Sequence, residues 1–425
     1  MSQATPSARR SVSNPFQSAS SSLKNVLGRR EVQAVLLLVL IALLVIYPHW
    51  ETDSARLDIS AEAEVYVLLA LGLNIVVGYA GLLDLGYAAF FAIGAYTLAL
   101  LGSAHFTVTG HSFSSPFLSF GPGGIHVNIF VMIPVAALVA AICGALFGAP
   151  TLRLRGDYLA IVTLGFGEIV PKIIQNLGQD NSLGLPNITN GVNTITGIDR
   201  PPDFHLFGLN ASFQGNNEVA LYYLGLIVIV LSIFMILSLR NSRLGRAWAA
   251  IREDEIAAAH MGINITRTRL LAFGLGAAFS GFGGLLYATR VESVDYTQFG
   301  FNVSITILVM VILGGIGSIP GAILGGIVMT YLNDSWLLLL NGKITALGGV
   351  LIGGPGPMGS VGSWMNGLNL TTAKPLFFGI ILVGMMLLRP QGLWPSATRA
   401  RELHPQTSSE KAEEDADLFA TRSEV

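Results

Sequence analysis

The chain has 425 residues, 52% of them apolar and 12% charged, with a formal net charge of -2. Soluble domains carry about 25% charged residues, so much of the surface a water-soluble fold needs is missing, and a mean hydropathy of +0.61 points to a membrane protein. The net charge is too small to suggest nucleic acid as a partner, and the single cysteine, Cys143, excludes an intrachain disulfide or a cysteine metal cluster.

Residues 1–31 are Ser-rich and basic and read as a disordered cytoplasmic tail. A helix needs about 20 apolar residues to cross a hydrocarbon core of about 30 Å. Ten segments are candidates: 32–49, 64–83, 85–104, 127–149, 157–177, 219–239, 270–289, 303–318, 320–340 and 374–388. The first follows Arg29 and Arg30; YPHWET (47–52) lacks a small-x-small cleavage site, so an uncleaved anchor is preferred to a signal peptide. The expected fold is an all-α polytopic membrane protein of about ten transmembrane helices, some broken or re-entrant, over 32–395. A polar cytoplasmic tail follows at 396–425.

Lys and Arg orient this layout. An even number of spans puts both termini on one side, and the segments on that side hold 18 of the 24 Lys and Arg residues. The asymmetry makes that side the cytoplasm. The external loops are then 105–126 and 178–218, with a Gly-rich external insertion at 341–373.

In the third span, Asp84 reads as an N-cap at the inner interface, its carboxylate accepting backbone N–H groups. The alternative sets Asp84 with Asn74 and Tyr87 on a translocation path. In the fifth span, Glu168 lies about 16 Å from Asp157 at about 1.5 Å per residue, near the membrane midplane. An acid there costs about 3 kcal/mol on an insertion scale and should face a cavity or a partner rather than lipid. Lys172 is at i+4, so a structural Glu168–Lys172 pair is the other reading. Thr163 in the same span is a further path candidate. Gly165, Gly167 and Pro171 suggest a helix broken there.

In the loop 240–270, Arg252 to Met261 reads as one short helix, with Glu253, Asp254 and Glu255 in its first turn and Gly262 as its stop. Ile256, Ala257 and Ala258 give it a small surface that a soluble partner could grip; the plainer reading is a charged connector. GGIGSIPG (314–321) is a tight turn between spans, and Gly144/Gly148 and Gly321/Gly325 suit close helix contact. The only Gly-Lys dipeptide, at 342–343, lacks the rest of a P-loop. No metal spacing, Ser-His-Asp or Cys-His set is present, so an enzyme is disfavoured.

EIAAAHMG (255–262) resembles the loop by which ABC importer permeases contact their ATPases, though its Glu-to-Gly spacing is one residue longer than usual and the trailing Ile-x-Leu-Pro is absent. GLNIVVGYAGLLDLGYAAFFAIGAY (72–96), LRGDYLAIVTLGFGEIV (154–170), GRAWAAIREDEIAAAHMGIN (245–264), VMVILGGIGSIPGAILG (309–325) and RPQGLW (389–394) resemble the branched-chain amino acid permease family, in its LivM-type branch. The resemblance implies a permease in a prokaryotic inner membrane, in contact with lipid. It also implies a second homologous permease subunit, two cytoplasmic ATPase subunits that bind ATP and Mg, and an extracytoplasmic substrate-binding protein. It gives Glu255, Ile256, Ala257, Ala258 and Gly262 an ATPase-coupling role and implies no cofactor on this chain. Urea is the alternative cargo within the family, and a stand-alone transporter with Glu168 as proton carrier is the rival from another class.

Overall fold

In the computed structural model of the chain the described residues are 44–48, 50, 53–107, 112–115, 117–152, 154, 156–178, 187–202, 204–206, 209–211, 218–352, 363–364 and 373–394. Met1–Trp50 is a unit of its own, in which 44–48 are helical. The rest of the expected first span and both expected tails lie outside the described residues.

The second unit, Glu51–Val425, is a helical membrane bundle. Among the described residues seven helices are long and apolar enough to cross a membrane, and two shorter apolar helices, Ala88–Leu101 and Lys374–Leu388, accompany them. Helix α1 (Ser54–Leu73) begins well before the expected position 64. The Asp53 side chain caps it, accepting from the Ala55 N–H at 3.1 Å. Its acids Asp58 and Glu62 do not end it, because Arg290 pairs with both at 2.6 and 3.0 Å. A π-helical turn, Asn74–Tyr79, completes the span.

The third expected span is built differently from the expectation. Helix α2 (Ala88–Leu101) covers only about 21 Å, too little to cross alone. The stretch 80–87 before it is not helical. Non-helical backbone at membrane depth is tolerated where protein satisfies its polar groups, and here it does. The Leu82 N–H donates to Val76 O at 3.0 Å, that of Leu85 to Thr163 Oγ1 at 3.1 Å, and that of Ala88 to Ser304 Oγ at 3.0 Å.

Helix α3 (Ile129–Thr151) is capped by Asn128, and α4 (Asp157–Asn176) is continuous through Pro171, so the expected break in the fifth span does not occur. The irregular backbone belongs to 80–87 instead. Next come α5 (Glu218–Asn241), the two short helices α6 (Arg243–Glu253) and α7 (Glu255–His260), and α8 (Ile265–Val291). Helix α9 (Phe301–Gly314) follows a 3-10 turn, Tyr296–Phe299. After the expected tight turn, α10 (Ile319–Tyr331) passes through a π turn, Leu332–Trp336, into α11 (Leu337–Ile352). The expected insertion at 341–373 thus begins as helix. Helix α12 (Lys374–Leu388) has the expected bounds.

Helix α8 is the hub, packed against α1, α2 and α3. Small residues let it approach: a Cβ on Gly144 of α3 would lie 2.5 Å from the Ala277 Cβ, which gives the Gly144/Gly148 pair its packing role. Arg252 donates to Gly78 O, Gly317 N–H donates to Asn74 Oδ1 at 2.8 Å, and Trp394 N–H donates to Gly314 O at 2.9 Å. The loop 240–269, the 315–318 turn and the chain after α12 therefore gather at one end, the basic end. The opposite end carries short strands. Among them, Gly102–Ser103, Phe113–Ser114, Leu118–Gly121 and Gly124–Val127 (β1–β4) form an antiparallel sheet in the order β1-β4-β3-β2.

Candidate functional site

The loop at the basic end holds two helices where the sequence suggests one. Asp254 adopts an extended backbone (φ -151, ψ 112), ends α6 and caps α7. Its Oδ1 accepts from the N–H groups of Ile256 and Ala257 at 2.8 and 3.0 Å. Only Glu255 of the three acids lies in the first turn of α7. Gly262, at φ +82, stops the helix as expected, in a conformation that disfavours a side chain.

Both helices are fastened to the bundle. Trp248 of α6 is wholly buried, and its Nε1–H donates to Thr268 O at 2.8 Å. Arg269 grips Glu255 with two parallel bonds, Nη1 to Oε1 at 3.2 Å and Nη2 to Oε2 at 3.0 Å. Ile256 and Ala257 of the expected surface are exposed, but Ala258 is not. Ala258 is 3% exposed and faces the chain itself, whereas Ile256 is 70% and Met261 83% exposed. Ala257, Ala259 and His260 are exposed beside them.

Four path candidates within the bundle sit in buried hydrogen bonds. Asn74 is clamped to the 315–318 turn, accepting from Gly317 N–H and donating to Ser318 O at 3.4 Å. The Tyr87 hydroxyl donates to Gly276 O at 2.8 Å, near the middle of α8. Thr163 accepts from Leu85 N–H and donates to Ala160 O at 3.0 Å. Asp84 is buried, and its Oδ1 accepts from Gly86 N–H at 2.9 Å. It does not cap α2, which begins four residues later beside Thr163 and Ser304; the N-cap at the inner interface is therefore a buried acid inside the bundle. Its Oδ2 has no hydrogen bond among the described residues.

Glu168 and Lys172 stand apart from these. Both are exposed on the outer face of α4 and line a groove of about 350 Å³ with Ile169, Ile173, Asn176 and Leu177. The i,i+4 ion pair is not formed. Lys172 Nζ donates to Gln175 Oε1 at 3.0 Å and lies 5.9 Å from the centre of the Tyr296 ring.

One acid escapes the sequence reading. Glu64 of α1 is 7% exposed between α1, α5 and α8, and its Oε1 has no hydrogen bond among the described residues. It borders a cavity of about 20 Å³ with Gly225 and Thr289, room for one water. Starting the second span at 64 sets this residue at a boundary; the run of helix-forming residues from Ser54 is the signal that it lies inside. Among the described residues no cluster of three His, Cys, Asp or Glu side chains could hold a metal ion.

Residues 55–389 match the family described as branched-chain amino acid transport system permease component. The permease protein LivM of the high-affinity branched-chain amino acid transport system of Salmonella typhimurium is 40% identical, over 84% of this chain and 75% of its own length. LivM of Escherichia coli is 39% identical over the same shares. LivH of Escherichia coli, a permease of the same system, is 25% identical over 62% of this chain and 79% of its own. No solved structure matches the chain.

Proposed function

The chain belongs to the branched-chain amino acid transport permease family, and on that premise we propose that it forms half of the translocation path of an ATP-driven importer of branched-chain amino acids in a prokaryotic inner membrane. The other half is a second homologous permease subunit. Two cytoplasmic ATPase subunits bind and hydrolyse ATP with Mg, and an extracytoplasmic binding protein delivers substrate. The basic end is the cytoplasmic end, because the loop there carries six of the 24 Lys and Arg residues.

The observation that carries this reading is the α6–α7 hairpin. It combines a rigid attachment to the bundle with an exposed apolar tip, which is what a lever between an ATPase and the spans requires. Trp248, Arg252 and Arg269 fix it to α8 and to the π-helical turn that follows α1. Ile256 and Met261 are then free to enter a pocket on a partner, while Glu255, Ala258 and Gly262 shape the helix behind them. An ATPase closing on this tip moves α8 and α1 together.

Ile256→Asp puts a charge in the centre of that contact. It should reduce co-purification of the ATPase subunits by at least about tenfold, a loss of about 1.4 kcal/mol, with the yield of the permease pair unchanged. Asn341→Ala, on α11 near the other end, should leave it unchanged. Full ATPase recovery with both Ile256→Asp and Met261→Asp would remove the hairpin from the coupling interface.

A further inference from the structure

The groove on α4 carries a set of groups that matches one kind of small molecule. Glu168 supplies a carboxylate, Lys172 an ammonium and Asn176 an amide, and Ile169, Ile173 and Leu177 supply branched aliphatic surface. At about 1.5 Å per residue these groups lie about 16 to 30 Å from the start of α4, spread from mid-membrane toward the strand-bearing end. The groove, about 350 Å³, is open and is lined by one face of α4.

The two charges are held apart. Lys172 could reach Glu168 at i,i+4 spacing, but its Nζ is committed to Gln175 Oε1, and Gln175 Nε2–H donates in turn to the Tyr296 hydroxyl at 3.1 Å. Tyr296 opens the 3-10 turn at the strand-bearing end, so the lysine is drawn that way. Glu168 has neither a hydrogen bond nor an ion pair among the described residues. An ionised carboxylate left facing lipid at that depth is disfavoured, and intramembrane acids face a cavity or a partner. The groove thus presents a negative pole, a positive pole about one helical turn beyond it, and an apolar strip alongside. Its own charge is balanced, and so is that of the molecule it complements.

We propose that this groove is a substrate station for a zwitterionic aliphatic amino acid, with Glu168 binding the α-ammonium, Lys172 the α-carboxylate, and Ile169, Ile173 and Leu177 the branched side chain. This rests on the reading that the chain lines an importer's path. It adds that the path selects by charge and side chain within the membrane, after the binding protein has released its cargo. Lys172 would exchange its bond to Gln175 for the substrate carboxylate, so the site is preorganised by a neutral partner and not by a competing acid.

The test uses the assembled importer in nanodiscs, with both permeases and both ATPases, without ATP and without binding protein. Equilibrium binding of radiolabelled leucine is measured against two competitors: isocaproate, which lacks the ammonium, and isoamylamine, which lacks the carboxylate. The wild-type complex should bind leucine and reject both analogues. Glu168→Gln should weaken leucine binding about tenfold and let isocaproate compete as well as leucine. Lys172→Gln should do the same for isoamylamine. Glu168→Asp, which keeps the charge, should restore rejection of isocaproate. The proposal is overturned if the wild-type complex binds no leucine at millimolar concentration, or if both neutral variants bind and discriminate as the wild type does. It is also overturned if Glu168→Gln only sheds the second permease, which would make Glu168 a subunit contact. Failure of the importer reading itself would look different: no complex with the ATPases would assemble even with the wild-type chain.

Discussion

Trp248→Ala is expected to destabilise the attachment of the α6–α7 hairpin by about 3–5 kcal/mol, the usual cost of emptying a fully buried aromatic site. Trp248 and Ile251 are the buried residues of α6, on a helix whose opposite face carries Arg243, Arg246 and Glu253. Removing the indole leaves a void against α8 and deletes its hydrogen bond to Thr268 O. The hairpin tip is untouched, so the ATPases should still bind through Ile256. What fails is the transmission: ATP hydrolysis by the complex should lose its stimulation by substrate and binding protein while the basal rate persists. Trp248→Phe keeps most of the packing and loses only the hydrogen bond, about 1 kcal/mol, so it should retain most of the stimulation. Thermal unfolding in detergent together with stimulated ATPase activity distinguishes the two. Full stimulation in Trp248→Ala would mean that the hairpin is not held through this residue.

Gly284→Val should be among the most damaging single changes in the bundle core. At this crossing α8 lies directly on the backbone of α2. A Cβ on Gly284 would sit 2.3 Å from Phe91 O and 2.6 Å from Ala95 N. Both are backbone atoms of a helix, so no rotamer change relieves the overlap and the two helices must separate. Overpacking a core usually costs about 1–3 kcal/mol, and a backbone-to-backbone clash belongs at or above the top of that range. Separation also disturbs the start of α2, whose first N–H depends on Ser304 of α9. The expected result is loss of monodisperse protein from the membrane fraction. Gly379→Val, in α12, meets nothing within 4 Å and should leave the yield intact. Equal yields from the two variants would contradict the packing described for α8.

The helices that sequence reveals best are those whose composition alone settles them. Helix α12 occupies the expected 374–388, and α3 and α5 differ from expectation by a residue or two at each end. The stretch 80–87 is invisible in the sequence for a physical reason. Hydropathy registers that Leu82, Leu83 and Leu85 are apolar, not whether their backbone is helical, and the groups that hold that backbone and the start of α2, Thr163 and Ser304, come from distant parts of the chain. The same blindness misplaces Asp84, since an N-cap reading uses only its immediate neighbours. The pairing of Glu168 with Lys172 follows a local spacing rule, and Gln175 with Tyr296 overrides it. The reading of one helix over 252–261 misses the break in the basic loop, although Asp is among the strongest helix N-caps and Asp254 stands directly before EIAAAH. The exposure of Ile256 agrees with the sequence reading, whereas only the fold shows that Ala258 is turned inward.

Uptake of radiolabelled leucine into proteoliposomes separates an ATP-driven subunit from a proton-coupled carrier most directly. The chain is reconstituted alone, and also with the second permease and the ATPases, with binding protein present and either ATP or an imposed proton gradient as the energy source. The expected result is uptake only by the full assembly, only with ATP on the side of the ATPases, and undiminished by a protonophore. Accumulation of leucine by this chain alone, driven by the proton gradient and abolished by Glu168→Gln, would contradict the importer reading and make the chain a secondary transporter.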